Sequence, residues 1–242
     1  MKTKHVIGRH FQLAALGLIW LGLPKTMEAS DVIGKILIGP EGTNKADTTG
    51  VVVSLTPINE AKASALKRPP TRAILEQRNK AFSPHILVIP PGSLVQFPNH
   101  DPFFHNVFSL FEGKRFDLGL YESGSSRSVK FDRPGVSYIF CNIHPQMSAI
   151  VISLDTPYYS LADKSGRFKI PDVAPGEYMV QVWAEGLNTE EMQRLSRHVA
   201  VIKDMVDLGT LEIPSLENLA QHKNKYGRDY DVSLPGAEYE RH

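Results

Sequence analysis

Apolar positions recur along most of this chain with a period of two, not of three to four. Val129 and Phe131 alternate with Ser128 and Lys130, and Tyr178, Val180 and Val182 share one side of another such run. That alternation predicts strands with one face on a core and the other in water. Short runs of this kind, punctuated by Gly, Pro, Asn and Asp, are the pattern of sandwiches and barrels. Helical signals are few. Asn59 can cap EAKASALKR, which Pro69 and Pro70 must stop. Asn188 and Glu191 have the spacing of a capping box ahead of TEEMQRLSR. Residues 215–242 are polar and poor in apolar side chains, which predicts a loose helix up to Tyr226 and Gly227 and then a disordered tail.

The strands fall into groups. GKILI and VVVSL, within residues 31–66, are joined by the turn-rich GPEGTNKADTTG. Residues 71–155 then hold eight runs in close succession: TRAILEQ, HILVIP, LVQFPN, HNVFSL, FDLGLY, SRSVKFD, VSYIFCNI and AIVISL. Gly92, Asn99, Gly113, Gly124, Pro134 and Gly135 supply turns between them. Eight short antiparallel strands in so few residues fit a Greek-key sandwich. Residues 156–214 resume the β pattern, with hairpin punctuation at Ser165, Gly166, Pro175 and Gly176. The predicted class is all-β.

The start of the chain reads differently. Lys2, Lys4 and Arg9 precede an apolar run from Phe11 to Leu23 that only Gln12 interrupts. The run is short of the roughly 18–20 residues that span a bilayer, so residues 1–29 read as a secretory signal cleaved near Ala29. An uncleaved membrane anchor is the alternative. No twin arginine precedes the run and no cysteine follows it, so neither a Tat signal nor a lipoprotein anchor is indicated. Of 27 basic and 26 acidic residues, four basic and one acidic lie in this segment, leaving a body of net charge −2. Such a near-neutral body gives no electrostatic case for nucleic acid or anionic lipid. Periplasmic or other export is expected, with no stable membrane insertion after cleavage.

Exported chains usually pair their cysteines, yet this one has a single cysteine, Cys141. It lies in FCNIHPQM, three residues before His144 and six before Met147. A thiolate, an imidazole and a thioether on one short turn form a soft donor set that suits copper rather than magnesium or calcium. Two His, one Cys and a weak axial Met make a blue-copper site. The second imidazole must come from elsewhere, and His105 in NHDPFFHNVFS is the best donor. His100 and His85 compete with it, while His198, His222 and His242 fit no ligand pattern. Each choice has a plainer reading: Cys141 as a small buried apolar residue, Met147 as core filler. Phe103, Phe104 and Pro145 are read either as an apolar rim or as core.

Residues 71–155 resemble the cupredoxin family. The Cys-x2-His-x2-Met spacing at 141–147 is similar to that of amicyanin, PPGSLVQFPN resembles the second and third strands, and HNV at 105–107 matches the ligand His followed by Asn. FSPHILVIPPGSLVQFPNHDPFFHNVFS also looks like periplasmic cupredoxins connected with methylamine utilisation. This likeness implies one type 1 copper ion on His105, Cys141, His144 and Met147, with Asn106 tying the two ligand loops together. GKILI, GVVVSLTP, SLADKSGRFKIPDVAPGEYMVQVWAEG, VAVI and DLGTLEI resemble a carboxypeptidase-regulatory or transthyretin-like sandwich. The cupredoxin unit would then be inserted in a discontinuous second sandwich. The alternative makes residues 31–70 an arm of the cupredoxin unit.

The implied function is electron carriage, not enzymatic catalysis. Four protein donors leave no open position for a substrate, and there is no second Cys-His set. A redox partner protein would dock transiently. Two other readings stand beside it: a copper carrier or sensor, and a structural or surface-interaction module in which the metal is incidental.

Overall fold

The computed structural model describes residues 29–39, 47–110, 113–202, 205–216 and 224–229. The expected signal segment, apart from Ala29, lies outside them, as does most of the predicted tail. The first stretch holds β1 (Ser30–Ile38), β2 (Val52–Pro57) and α1 (Glu60–Ala65). Ten strands follow: β3 (Arg72–Ile74), β4 (Glu76–Arg78), β5 (Ala81–Ser83), β6 (Ile86–Ile89), β7 (Ser93–Pro98), β8 (His105–Ser109), β9 (Phe116–Tyr121), β10 (Ser126–Phe131), β11 (Gly135–Phe140) and β12 (Ser148–Ser153). The last stretch holds β13 (Tyr159–Leu161), β14 (Arg167–Val173), β15 (Gly176–Trp183), α2 (Thr189–Leu195), β16 (Arg197–Val201) and β17 (Val206–Ile213). The fold is all-β, with two one- to two-turn helices.

Strand pairing joins residues 30–57 to residues 159–213. One sheet runs β14-β1-β17 and another β13-β2-β15-β16. Between them Val32, Ile36, Val53, Leu55, Ile170, Tyr178, Val180 and Leu211 form one core. The intervening strands build their own sheets, β10-β7-β3 and β6-β12-β11-β8-β9. Their core contains Leu75, Val95, Phe97, Val107, Phe131, Ile139, Cys141 and Met147.

β12 explains why AIVISL shows no clean alternation. Ala149 and Val151 face the second core, while Ile150 and Ile152 face a junction with Val52 of β2. Both faces of the strand are covered, so the run is apolar throughout. Trp183, Tyr138, Tyr159 and Ile86 pack around this junction. Each large aliphatic side chain buried there contributes roughly 1.5–3 kcal/mol.

Local details depart from the pattern read in the sequence. TRAILEQ is split into β3 and β4 around Leu75, which is fully buried. β4 and β5 form an extra hairpin whose turn residues, Asn79 and Lys80, both have positive φ (57° and 55°). That is the geometry of a type I′ turn, which Asn-Lys does not advertise as Asn-Gly would. Asn59 and Asn188 do cap their helices, accepting from the N–H groups of Lys62 (3.1 Å) and Glu191 (2.9 Å). The reciprocal half of the capping box is not made, because the Glu191 carboxylate accepts from Arg194 instead. Residues 224–229 are a turn, not the end of a helix, because Asn224 accepts the N–H groups of Tyr226 and Arg228 on its side chain.

Candidate metal centre

The loop before β8 is built to present His105. Asn99 is fully buried, and its side chain donates to the Phe103 carbonyl (2.8 Å) and accepts from the Asp101 N–H (3.0 Å). Asp101, almost wholly buried, takes three donors. The N–H groups of Asn79 (2.6 Å) and Lys80 (2.9 Å), freed by the type I′ turn, reach one oxygen each. His105 Nε2 donates to Oδ2 at 2.8 Å. An ionised carboxylate only accepts, so the proton sits on Nε2 and Nδ1 keeps a bare lone pair. Burial raises Asp101, but the Lys80 N–H, His105 and the Asn79 N–H outweigh it and hold the carboxyl below its usual range.

Cys141 immediately follows β11 and is fully buried. Its N–H donates to the Met147 carbonyl (3.2 Å), and the Met147 N–H donates to the His144 carbonyl (3.0 Å). These two bonds close the 141–147 loop and turn His144 back over the cysteine. Cys141 Sγ lies 3.7 Å from Nδ1 of both His105 and His144, and the two nitrogens are 3.2 Å apart. The centre of that triangle is about 2.1 Å from each corner, the length of a first-row metal–imidazole bond.

Electrostatics prepares the three atoms for a cation. Burial lowers His105 more than Asp101 raises it. His144 is held down at about 4, first by burial and then by His105 and Lys80. Both imidazoles are therefore neutral at pH 7 and offer lone pairs. Burial pushes the Cys141 thiol up, against the backbone N–H groups of Asn106, Ile143 and His144. Those three N–H groups favour a thiolate once a cation displaces the proton. Two neutral imidazoles and a thiol converging on one point could hold a soft metal, and the donor set fits copper.

A family model described as polysaccharide lyase family 4, domain II, matches residues 144–201. No curated protein matches the chain. Among solved structures, a purple cupredoxin from Nitrosopumilus maritimus is 26% identical, with 34% of this chain and 99% of that one covered, at a TM-score of 0.31. Amicyanin from Paracoccus versutus is 20% identical over 45% of this chain and 100% of its own, at a TM-score of 0.32. A copper-containing nitrite reductase from Thermus scotoductus SA-01 also matches at 20% identity, over 49% of this chain but only 28% of the enzyme, at a TM-score of 0.34.

His105, Cys141 and His144 are the one group of three or more His, Cys, Asp or Glu side chains gathered for a metal among the described residues. Met147 is fully buried in the same core cluster as Cys141. The competing histidines lie elsewhere. His85 bonds the Ser148 carbonyl (3.1 Å) and Glu185 (2.8 Å), and His100 faces Glu76 at 3.5 Å. His198 pairs with Glu177 at 2.7 Å, while His222 and His242 lie outside the described residues.

Phe103 packs against both imidazole rings, its centroid 5.2 Å from His105 and 5.6 Å from His144. Ile143 and Pro145, the neighbours of the half-buried His144, are exposed, as is Phe104. Asn106 ties the two loops together through its backbone, not its side chain. Its Nδ2 donates to Asp117 (2.7 Å), while its backbone N–H points at the Cys141 sulfur. Sequence reasoning missed Asp101 and Asp117. Asp101 stands four residues before His105, a spacing that carries meaning on a helix and none in a loop.

Proposed function

We propose that the chain is an exported type 1 copper protein that carries single electrons. His105, Cys141 and His144 would hold the ion, with Met147 as a candidate weak fourth donor. The observation that supports this most is the triangle of two imidazole nitrogens and one sulfur around a point about 2.1 Å from each. A copper ion held there supplies a one-electron step between Cu(I) and Cu(II).

The chain's own residues do the rest. Asp101 fixes the tautomer and angle of His105. Three backbone N–H groups stabilise the Cys141 thiolate. The packed β frame around Cys141 would hold the donors in one arrangement, so that little reorganisation would accompany each transfer. His144, half-buried on the loop, offers its ring edge to a partner across the exposed Phe104, Ile143 and Pro145. A transient redox partner suits so small a surface. Were Met147 to complete four protein donors, no position would be left for a substrate, which would favour carrier over enzyme.

We also propose that residues 71–155 fold as a unit inserted in a second sandwich made of residues 31–66 and 156–214. The pairing of β1 and β2 with strands beyond residue 156 supports it. Protein-film voltammetry of the copper-loaded chain tests the carrier reading: a reversible one-electron couple is expected. Copper that is bound but redox-silent at the electrode, and that passes to a competing apo-protein, favours the copper-carrier alternative.

A further inference from the structure

Residues 224–229 come after the last strand, yet they lie against the metal-binding end of the cupredoxin-like sheets. Asn224 organises them into a turn: its Oδ1 accepts from Tyr226 (3.0 Å) and Arg228 (3.1 Å), and its N–H donates to the Arg228 carbonyl (2.9 Å). Lys225 leaves this turn by two routes. Its backbone N–H donates to Asn142 Oδ1 at 2.9 Å. Its Nζ donates to Asp117 Oδ2 at 2.8 Å.

Both acceptors lead to the site. Asn142 directly follows Cys141. Asp117 Oδ1 holds Asn106 Nδ2, and Asn106 directly follows His105 and aims its own N–H at the Cys141 sulfur. Asn106 Oδ1 is buried without a partner, so Asp117 is what anchors that side chain. Lys225 therefore spans, from outside, the two segments that carry the three donor atoms.

We infer that residues 224–229 are a clasp on the metal site, with Lys225 as the positioning residue that fixes Asn106 and Asn142 around the Cys141 sulfur. The inference rests on the copper reading above. Lys225 and Asp117 are both partly exposed, so the pair adds little to global stability. Its effect is local. Without the ammonium, the Asp117 carboxylate is left uncompensated near the site and favours the more highly charged Cu(II). The reduction potential then falls, and looser N–H donors release the metal faster.

The test uses the full chain as wild type, Lys225→Ala and Lys225→Arg. In copper-loaded protein, Lys225→Ala should keep the thiolate absorption, lower the potential and lose copper to a chelator about tenfold faster. Lys225→Arg should restore both. In metal-free protein, hydrogen exchange at the amides of Ile143 and His144 should rise several-fold in Lys225→Ala, with an unchanged melting temperature. Unchanged exchange together with unchanged potential and release rate overturns the clasp. Raised exchange in a protein that shows no thiolate absorption even as wild type keeps the clasp and sinks the copper reading instead.

Discussion

Asp101 Oδ2 accepts a 2.8 Å hydrogen bond from His105 Nε2, and both side chains are buried. The contact converts a hairpin turn into control over the His105 ring. The turn at Asn79 and Lys80 frees two N–H groups, they hold the carboxylate, and the carboxylate orients the ring.

Replacing this acceptor is expected to weaken the site without unfolding the chain. In Asp101→Asn the side-chain shape stays, but the ionised acceptor is lost and His105 can turn or change tautomer. Outer partners of metal-bound histidines typically account for about 10–100-fold in affinity. A chelator competition should show a loss of that size for copper, and the potential should rise because a nearby negative charge is gone. An unchanged affinity means that His105 is oriented by packing alone.

The discontinuous sandwich predicts unequal fragments. A 71–155 fragment contains both sheets β10-β7-β3 and β6-β12-β11-β8-β9 and should fold and bind copper. A 156–242 fragment lacks β1 and β2, leaves the edges of β14, β15 and β17 bare, and should aggregate or stay unfolded. Circular dichroism and gel filtration check both. A well-folded monomer of 156–242 overturns the nesting. Ile150→Ala, at the junction with Val52, should cost the whole chain about 2–5 kcal/mol in denaturant unfolding.

That junction also carries a pH term. Glu185 raises His85 above its ordinary value, against the cost of burial. A raised histidine stabilises the fold fully below its unfolded value, near 6.5, and the gain is lost as pH climbs through the higher folded value. Both side chains are more than a third exposed, so the term is about 0.2–1 kcal/mol at most. Unfolding free energies from pH 5 to 8 should fall by that increment in wild type relative to His85→Gln. Parallel curves for the two proteins would remove the pair from the account.

Much of this was legible from residue pattern alone. The period-two alternation gave the all-β class, because a half-buried strand must alternate. The side chains of His105, Cys141 and His144 were singled out by donor chemistry, and the fold brings them within bonding distance of one point. The supports around them were not legible. Asp101 acts through a turn whose Asn-Lys sequence lacks a hairpin signature, and Lys225 is separated from Asn142 by most of the second sandwich. A polar tail reads as solvated unless its partners in space are known. Asn106 was expected to bridge the loops; its backbone N–H does so at the Cys141 sulfur, while its side-chain amide reaches Asp117 and, through it, Lys225.

Side-chain exchange at the site should sort the histidines. Cys141→Ser removes the soft donor and should abolish thiolate absorption, since a hydroxyl is a poor substitute. His105→Ala should weaken binding or admit water. His85→Ala and His100→Ala, whose rings bond Glu185 and face Glu76, should leave the colour intact. Met147→Leu should keep the copper and raise the potential, because a donor to Cu(II) is lost. Copper titrations followed by absorption and voltammetry read all five variants. Loss of colour in His100→Ala with retention in His105→Ala reverses the assignment.

The most direct measurement is the visible absorption spectrum of the oxidised, copper-loaded full chain. A Cu(II)–thiolate bond at Cys141, flanked by His105 and His144, predicts an intense blue, green or purple charge-transfer band that disappears on reduction and returns on oxidation. Stoichiometric copper without that band would contradict a type 1 site on these residues.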